Sequence, residues 1–234
     1  MVRVKLTPAM EDYLREAYRL RERGEEITVQ ALSQALAVTP PSVTGMVKRL
    51  AGLGLLAYQR YQALVLTPAG EAVALEVVRH HRLLELYLTE FLDMPWEDVH
   101  AEADRLEHHI SENLEERIAE RLGQPSFDPH GDPIPSRDLV MPSRDLARLS
   151  DVAPGCTGCV ARVEQQEPAV LHYLNTLGVI PGAVVTPVAV SPDGVVTVRI
   201  ASHGERAGST HALGEKLAAH ILVSRVTATP EVAV

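Results

Sequence analysis

The stretch ITVQALSQALAVTPPSVTGMVKRLAGLGLL, residues 27–56, constrains the fold more than any other part of the chain. It sets two short helices a few residues apart, each with its own start signal. Thr28 stands where a hydroxyl caps a helix running through Leu36. AVT follows as a tight turn. Thr39 then caps a second helix, whose first turn tolerates Pro40 and Pro41 because the N–H groups there lack intrahelical partners anyway. Val43, Met46, Val47 and Leu50 recur at helical spacing as one apolar stripe, and Gly52 and Gly54 end the helix. LLAYQRYQALVLT reads as two short strands around Arg60-Tyr61-Gln62, a hairpin. With a first helix from TPAMEDYLREAYRLRERG, capped by Thr7 with Pro8 in first position, this order predicts a winged helix-turn-helix over residues 1–66.

Such a unit reads DNA by laying its second helix in the major groove, with polar groups near the helix start meeting bases and cations holding phosphates. Thr39, Pro41, Ser42, Thr44, Lys48 and Arg49 lie off the apolar stripe, and Arg60 and Tyr61 mark the hairpin tip. These eight are the expected contacts to double-stranded operator DNA. The whole chain carries a net charge of −9, which by itself argues against nucleic acid. The distribution reverses that argument. Residues 1–62 hold nine Lys/Arg against six Asp/Glu, whereas residues 63–122 hold five against fourteen. A reading head of modest positive charge suits a homodimer, which doubles the contacts across two half-sites.

The acidic middle segment also holds five of the ten histidines. A helix is expected from Thr67-Pro68 to about Leu92, with Val73, Val77, Leu84, Leu88 and Phe91 as its core stripe and His81 and Glu85 along one edge. Pro95 starts the next helix, which contains HAEADRLEHH, residues 100–109, and a further helix runs to about Leu122. At about 100° per residue, Val99, Ala103, Leu106, Ile110 and Leu114 form a core stripe and Glu102, Arg105 and His109 face water. His100, Asp104, Glu107 and His108 border the core, where uncompensated carboxylates are costly. A divalent cation would offset that cost. Two such edges facing each other, with Glu11 and Asp12 of the first helix nearby, supply oxygen and nitrogen ligands for one or two octahedral ions. A metal-dependent hydrolase is the reading from another class, but no nucleophile or phosphate loop accompanies the cluster.

Residues 123–152 are rich in Pro and Asp and lack periodicity, so a linker is expected there. From 153 to 228, VVTPVAVSPDGVVTVRI and HILVSRV are β-rich around an SPDG turn, the pattern of a small antiparallel barrel. The fold class is therefore mainly α with a small β module. Cys156 and Cys159 form a single CxxC, weak as a zinc signal without a second pair. His172, His203, His211 and His220 are scattered and read as structural or exposed. No apolar run approaches the ~20 residues of a membrane span, and MVRVKLTPAMEDY lacks a signal-peptide core, so a cytoplasmic protein with no membrane partner is expected.

Several motifs in order, TPAMEDYL, LAVTPPSVTGMVKRL, ALVLTPAGE, HRLLELYL, AEADRLEHHIS, DPHGDPIP and LNTLGVIPGAVV, resemble the diphtheria toxin repressor family of metal-dependent transcriptional regulators. That family includes iron- and manganese-dependent repressors. The resemblance implies a helical dimerisation and metal-binding domain over 67–122 and an SH3-like domain of the ferrous-transport accessory type at the C-terminus. It also implies a primary metal site of Asp12, Asp104, Glu107 and His108, and a second site of His81, Glu85 and His100, with Glu167 at a matching barrel position. Iron-responsive members carry methionine and cysteine where this chain has Asp12 and Asp104; manganese-responsive members carry carboxylates there. Hard oxygen ligands suit Mn²⁺, with Fe²⁺ the alternative. His100 matches the iron type, and Arg15 stands where the manganese type has a further acidic ligand. The implied role is repression of metal-uptake genes when metal is bound.

Overall fold

The computed structural model describes residues 6–59, 62–201 and 208–228, with side chains described as far as 224. Three helices, α1 (Pro8–Glu22), α2 (Val29–Ala35) and α3 (Pro40–Gly52), and a two-stranded hairpin, β1 (Leu56–Ala57) and β2 (Val65–Leu66), make the first unit. The start signals act in part as expected: Thr7 precedes α1 with extended backbone but makes no side-chain cap bond, and Pro8 opens the helix. Thr28 accepts from the Ala31 N–H at 3.0 Å, while Thr39 bonds the Ser42 hydroxyl at 3.0 Å and makes no backbone cap bond. Met10, Leu14, Leu32, Val43, Val47 and Leu50 close the core.

The long helix α4 (Pro68–Leu92) lies against α1 and extends this core through Ala74 and Val78. Its start is tied to the end of the reading head. Thr67 accepts from the Gly70 N–H and donates to the Gly54 carbonyl. Gly70 is required, since a Cβ there would lie 1.9 Å from the Leu55 carbonyl oxygen.

The next two helices differ from expectation. α5 begins at Val99 rather than at Pro95 and stops at Leu106; α6 (Glu112–Arg121) follows a turn. Ser111 causes the break: its extended backbone caps α6, and its hydroxyl accepts from the Leu114 N–H at 3.3 Å. The stripe drawn through Leu114 keeps Leu106 and Ile110 against the second core but loses Leu114. Leu114 is exposed, and so is Phe91, which lies under the Arg121 guanidinium instead of in the core. Leu83, Leu84, Ala103, Ile118 and Ile134 form the second core.

Residues 123–146 carry no helix or strand beyond a Phe127–Pro133 bridge, yet 128–135 are not a loose connection. Asp128, His130, Asp132 and Ile134 are buried. The Asp128 carboxylate accepts from the backbone N–H of His130 and of Asp132, which folds DPHGD into a turn. Arg82 and Arg79 of α4 donate to the Pro133 and Pro135 carbonyls at 2.6 Å each. Gly131, at φ +86°, lets this strap pass within contact of the Ala161 backbone.

The C-terminal unit is an antiparallel six-stranded sheet of order β3-β8-β4-β5-β6-β7, comprising β3 (Ala147–Arg148), β4 (Cys156–Val163), β5 (Val184–Val190), β6 (Val196–Ala201), β7 (Ser209–Leu213) and β8 (Ile221–Ala228). Helices α7 (Pro168–Leu177) and α8 (Glu215–Ala219) complete it. Pro187 sits at a register shift of β5, where a ladder tolerates a missing donor. Leu171, Leu174, Val198, Ile221 and Trp96 share its core. Among the described residues no helix is long and apolar enough to cross a membrane.

Candidate metal centre and DNA-reading face

His81 and Glu85 lie one turn apart on α4, so their side chains share a face. α5 brings His100 to them. His81 Nε2, Glu85 Oε1 and His100 Nδ1 form a triangle with sides of 2.9, 2.9 and 3.0 Å. With bonds of about 2.1 Å, adjacent donors of an octahedral ion stand about 3 Å apart, so this donor set fits one. Glu85 is fully buried. Burial opposes its charge, but His81, His100 and His130 hold its carboxyl well below the usual range. Burial likewise works against protonation of His81, and Glu85 and Glu107 overcome it and raise its pKa.

The second set spans the two helical units. His108 Nε2 meets Asp12 Oδ1 of α1 at 2.9 Å and Glu107 Oε1 at 3.2 Å. His108 Nδ1 meets Glu11 Oε2 at 2.7 Å, an outer carboxylate that orients the ring. Glu107 and His108 stand beyond the end of α5, so the turn rather than the helix face aims them. Asp104 is placed apart from this set. It lies 2.7 Å from Arg15 Nη1, 3.4 Å from His81 Nδ1 and 3.7 Å from His100 Nε2. Burial opposes its charge, but Arg15 and His81 keep its pKa low.

A third set escaped the sequence reading. Asp128 and His130 of the strap approach Glu85 as well, His130 at the carboxylate oxygen that His81 and His100 leave free; His130 Nδ1 lies 3.8 Å from Glu85 Oε2 and 4.0 Å from Asp128 Oδ1. His130 Nε2 donates to the Trp96 carbonyl at 2.8 Å, which fixes the ring. His130 Nδ1 and Asp128 Oδ2 are buried without a hydrogen-bond partner, as ligands awaiting a cation would be. Burial disfavours the His130 imidazolium, yet Glu85 and Asp128 raise its pKa to about 9. Burial, with Asp132 and Glu85 nearby, pushes the Asp128 carboxyl well above its usual range. The signal was Asp-Pro-His inside the segment assigned as linker. Glu167 is exposed at the start of α7 and belongs to none of the three sets among the described residues.

On α3, Thr39, Pro41, Ser42, Lys48 and Arg49 are exposed, opposite the buried Val43, Val47 and Leu50. Thr44 is half-buried, and its hydroxyl donates to the Pro40 carbonyl at 2.9 Å. Arg60 and Tyr61 lie outside the described residues.

A winged helix-turn-helix joined to a helical layer of clustered carboxylates and imidazoles, with an SH3-like sheet behind, defines a metal-dependent DNA-binding regulator. Residues 5–64 match the iron dependent repressor N-terminal DNA binding domain, and 67–136 the metal binding and dimerisation domain of the same family. Residues 147–225 match the FeoA domain. The iron-dependent repressor IdeR of Mycobacterium leprae is 35% identical over 210 residues, covering 85% of this chain and 91% of that protein. The regulator MntR of Lysinibacillus sphaericus is 38% identical over 114 residues, 49% of this chain and 81% of that protein. A solved manganese-dependent transcriptional repressor in complex with manganese superimposes with a TM-score of 0.83 at 33% identity, covering 92% and 98% of the two chains. This chain belongs to the iron-dependent repressor family of metal-dependent DNA-binding repressors. The family consists of repressors rather than enzymes, which removes the hydrolase alternative.

Proposed function

We propose that this protein is a cytoplasmic homodimer that grips double-stranded operator DNA when loaded with Mn²⁺, one or two ions per subunit, and so represses metal-uptake genes. The observation that carries this reading is the 2.9 Å contact between Asp12 on α1 and His108 after α5, which links the reading head to the helical layer. Asp12, Glu107 and His108, with Asp104 adjoining, would hold the first ion; His81, Glu85 and His100 the second. Glu167 joins the second set only with a rearrangement of α7. When bound, the ion supplies the positive charge that lets buried carboxylates converge. Held by the ion, Asp12 would fix α1 against the α5 turn, Glu11 would keep the His108 ring aimed, and α1 would hold α2 and α3 in place with it. Ion affinity and DNA affinity are linked reciprocally through this one geometry.

Oxygen donors dominate the Asp12 set, which favours Mn²⁺; the two imidazoles of the His81 set support Fe²⁺ as the second reading. Leu92 in the last turn of α4 and Leu114 in the first turn of α6 are each about half exposed, apolar side chains open to a second copy. Thr39, Pro41, Ser42, Thr44, Lys48 and Arg49 of α3, with Arg60 and Tyr61 of the wing, are the proposed DNA contacts. The test is selection of genomic DNA fragments by the full chain in Mn²⁺, in Fe²⁺ under anoxia, and in chelator. Retention of specific fragments is expected with metal only, and Asp12→Ala should abolish it while the protein stays dimeric. Equal retention with and without metal would sink the reading.

A further inference from the structure

Arg15 stands three residues after Asp12 on α1 and is buried. Its Nη1 lies 2.7 Å from Asp104 Oδ1, 2.5 and 2.6 Å from the two Glu107 oxygens, and 3.4 Å from His81 Nδ1. Nη2 adds Asp12 Oδ1 at 3.7 Å. One guanidinium nitrogen carries only two hydrogens, yet three carboxylate oxygens surround this one. The planar fork that arginine ordinarily presents to a carboxylate is not used: Nε is buried without a hydrogen-bond partner. The group therefore acts as a centre of positive charge, placed among the very carboxylates assigned to the ion.

We propose that Arg15 is a built-in cation of the metal centre, which holds Asp104 and Glu107 together and must be expelled when a divalent ion takes them. The inference rests on the metal-centre reading above. A guanidinium nitrogen 2.5 Å from Glu107 and an ion ligated by Glu107 and Asp104 would meet as like charges at one point, so the two exclude each other. Arg15 thereby sets the metal concentration at which the centre loads. Arg15 lies one turn from Asp12 on the same face of α1, so its long side chain must swing away while Asp12 stays at the centre.

The test compares wild type with Arg15→Met and Arg15→Lys as full chains, by calorimetric titration with Mn²⁺ and by thermal melting in chelator. Arg15→Met should melt lower in chelator and bind Mn²⁺ about tenfold more tightly, because no resident cation competes for the binding-competent carboxylates. Arg15→Lys, which keeps the charge, should lie between. Unchanged or weaker Mn²⁺ binding by Arg15→Met overturns the proposal. Should that variant not fold, arginine side-chain NMR of the wild type decides: the protected Arg15 Nη signal, assigned by its loss in Arg15→Lys, should vanish on saturation with Cd²⁺. Its persistence overturns the proposal. Equal Mn²⁺ affinity in all three proteins rejects the role of Arg15 alone; no Mn²⁺ binding by the wild type rejects it together with the metal reading.

Discussion

The Asp12 set and the Glu85 set are built from the same residue types and differ in what they connect. Asp12, Glu107 and His108 join α1 of the reading head to a turn of the helical layer, and Asp12 is about one-third exposed. Glu85 lies at the centre of α4, α5 and the strap, with His81 and His130, like Glu85 itself, almost wholly buried. A bond across a boundary can be made or lost while both sides stay folded. A buried charge among three imidazoles cannot change without a cost to folding. The first arrangement suits a switch, and the second suits a fixed frame against which the switch works.

Truncation gives the widest separation between the two. Glu85→Ala leaves His81, His100 and His130 without their shared carboxylate and should cost about 3 kcal/mol or more in urea unfolding of the metal-free protein. Asp12→Ala should cost about 1 kcal/mol in the same measurement, because Asp12 is about one-third exposed and the buried His108 keeps Glu11 as a partner. Similar costs for both would erase the distinction. Gly131→Ala attacks the frame from the strap: φ is +86° and its Cβ would meet the Ala161 carbonyl at 1.9 Å, so a loss of about 2 kcal/mol is expected. It should weaken the Glu85 set and spare the Asp12–His108 pair, visible as an unchanged His108 resonance.

pH sharpens the contrast more gently. The His130 pKa rises from 6.5 to about 9 on folding, so its contribution is whole below about pH 6.5 and gone above about pH 9. His81 moves the same way. Glu85 is displaced downward, so its contribution is whole above its unfolded value and lost only in acid. In chelator, the urea midpoint should therefore fall between pH 6.5 and 9. Mn²⁺ affinity should rise as His81, whose pKa is raised by Glu85 and Glu107 against the opposing effect of burial, gives up its proton and becomes free to ligate. A midpoint that is flat or rising with pH would place these histidines outside the frame.

The elements were legible wherever local chemistry decides them. Thr28 caps where its hydroxyl predicted, Thr7 and Thr39 start their helices without a side-chain cap bond, and the Val43–Val47–Leu50 stripe is buried as its spacing required. The α5–α6 break was harder to read, because Ser111 as a cap competes with a stripe that fits one continuous helix. Glu107 and His108 were placed on a helical face that ends before them; their sequence neighbours do not reveal that a turn aims them. Asp128 and His130 were passed over for a different reason: a Pro-rich stretch without periodicity reads as a linker, and only the carbonyls accepting from Arg79 and Arg82 turn it into a buried strap.

Composition and periodicity alone determined the order of units, the helix-turn-helix and hairpin, the β-rich end, and the mixture of carboxylate and imidazole that calls for a cation. These depend on neighbours three or four residues away, which any reader of the chain can count. The tertiary structure decided which of those groups meet. It brought Asp12 to His108 across 96 residues, folded the strap onto Glu85, and seated the Arg15 guanidinium among the acids. Such pairings follow from how helices pack and where turns end, and no local count of residues contains them.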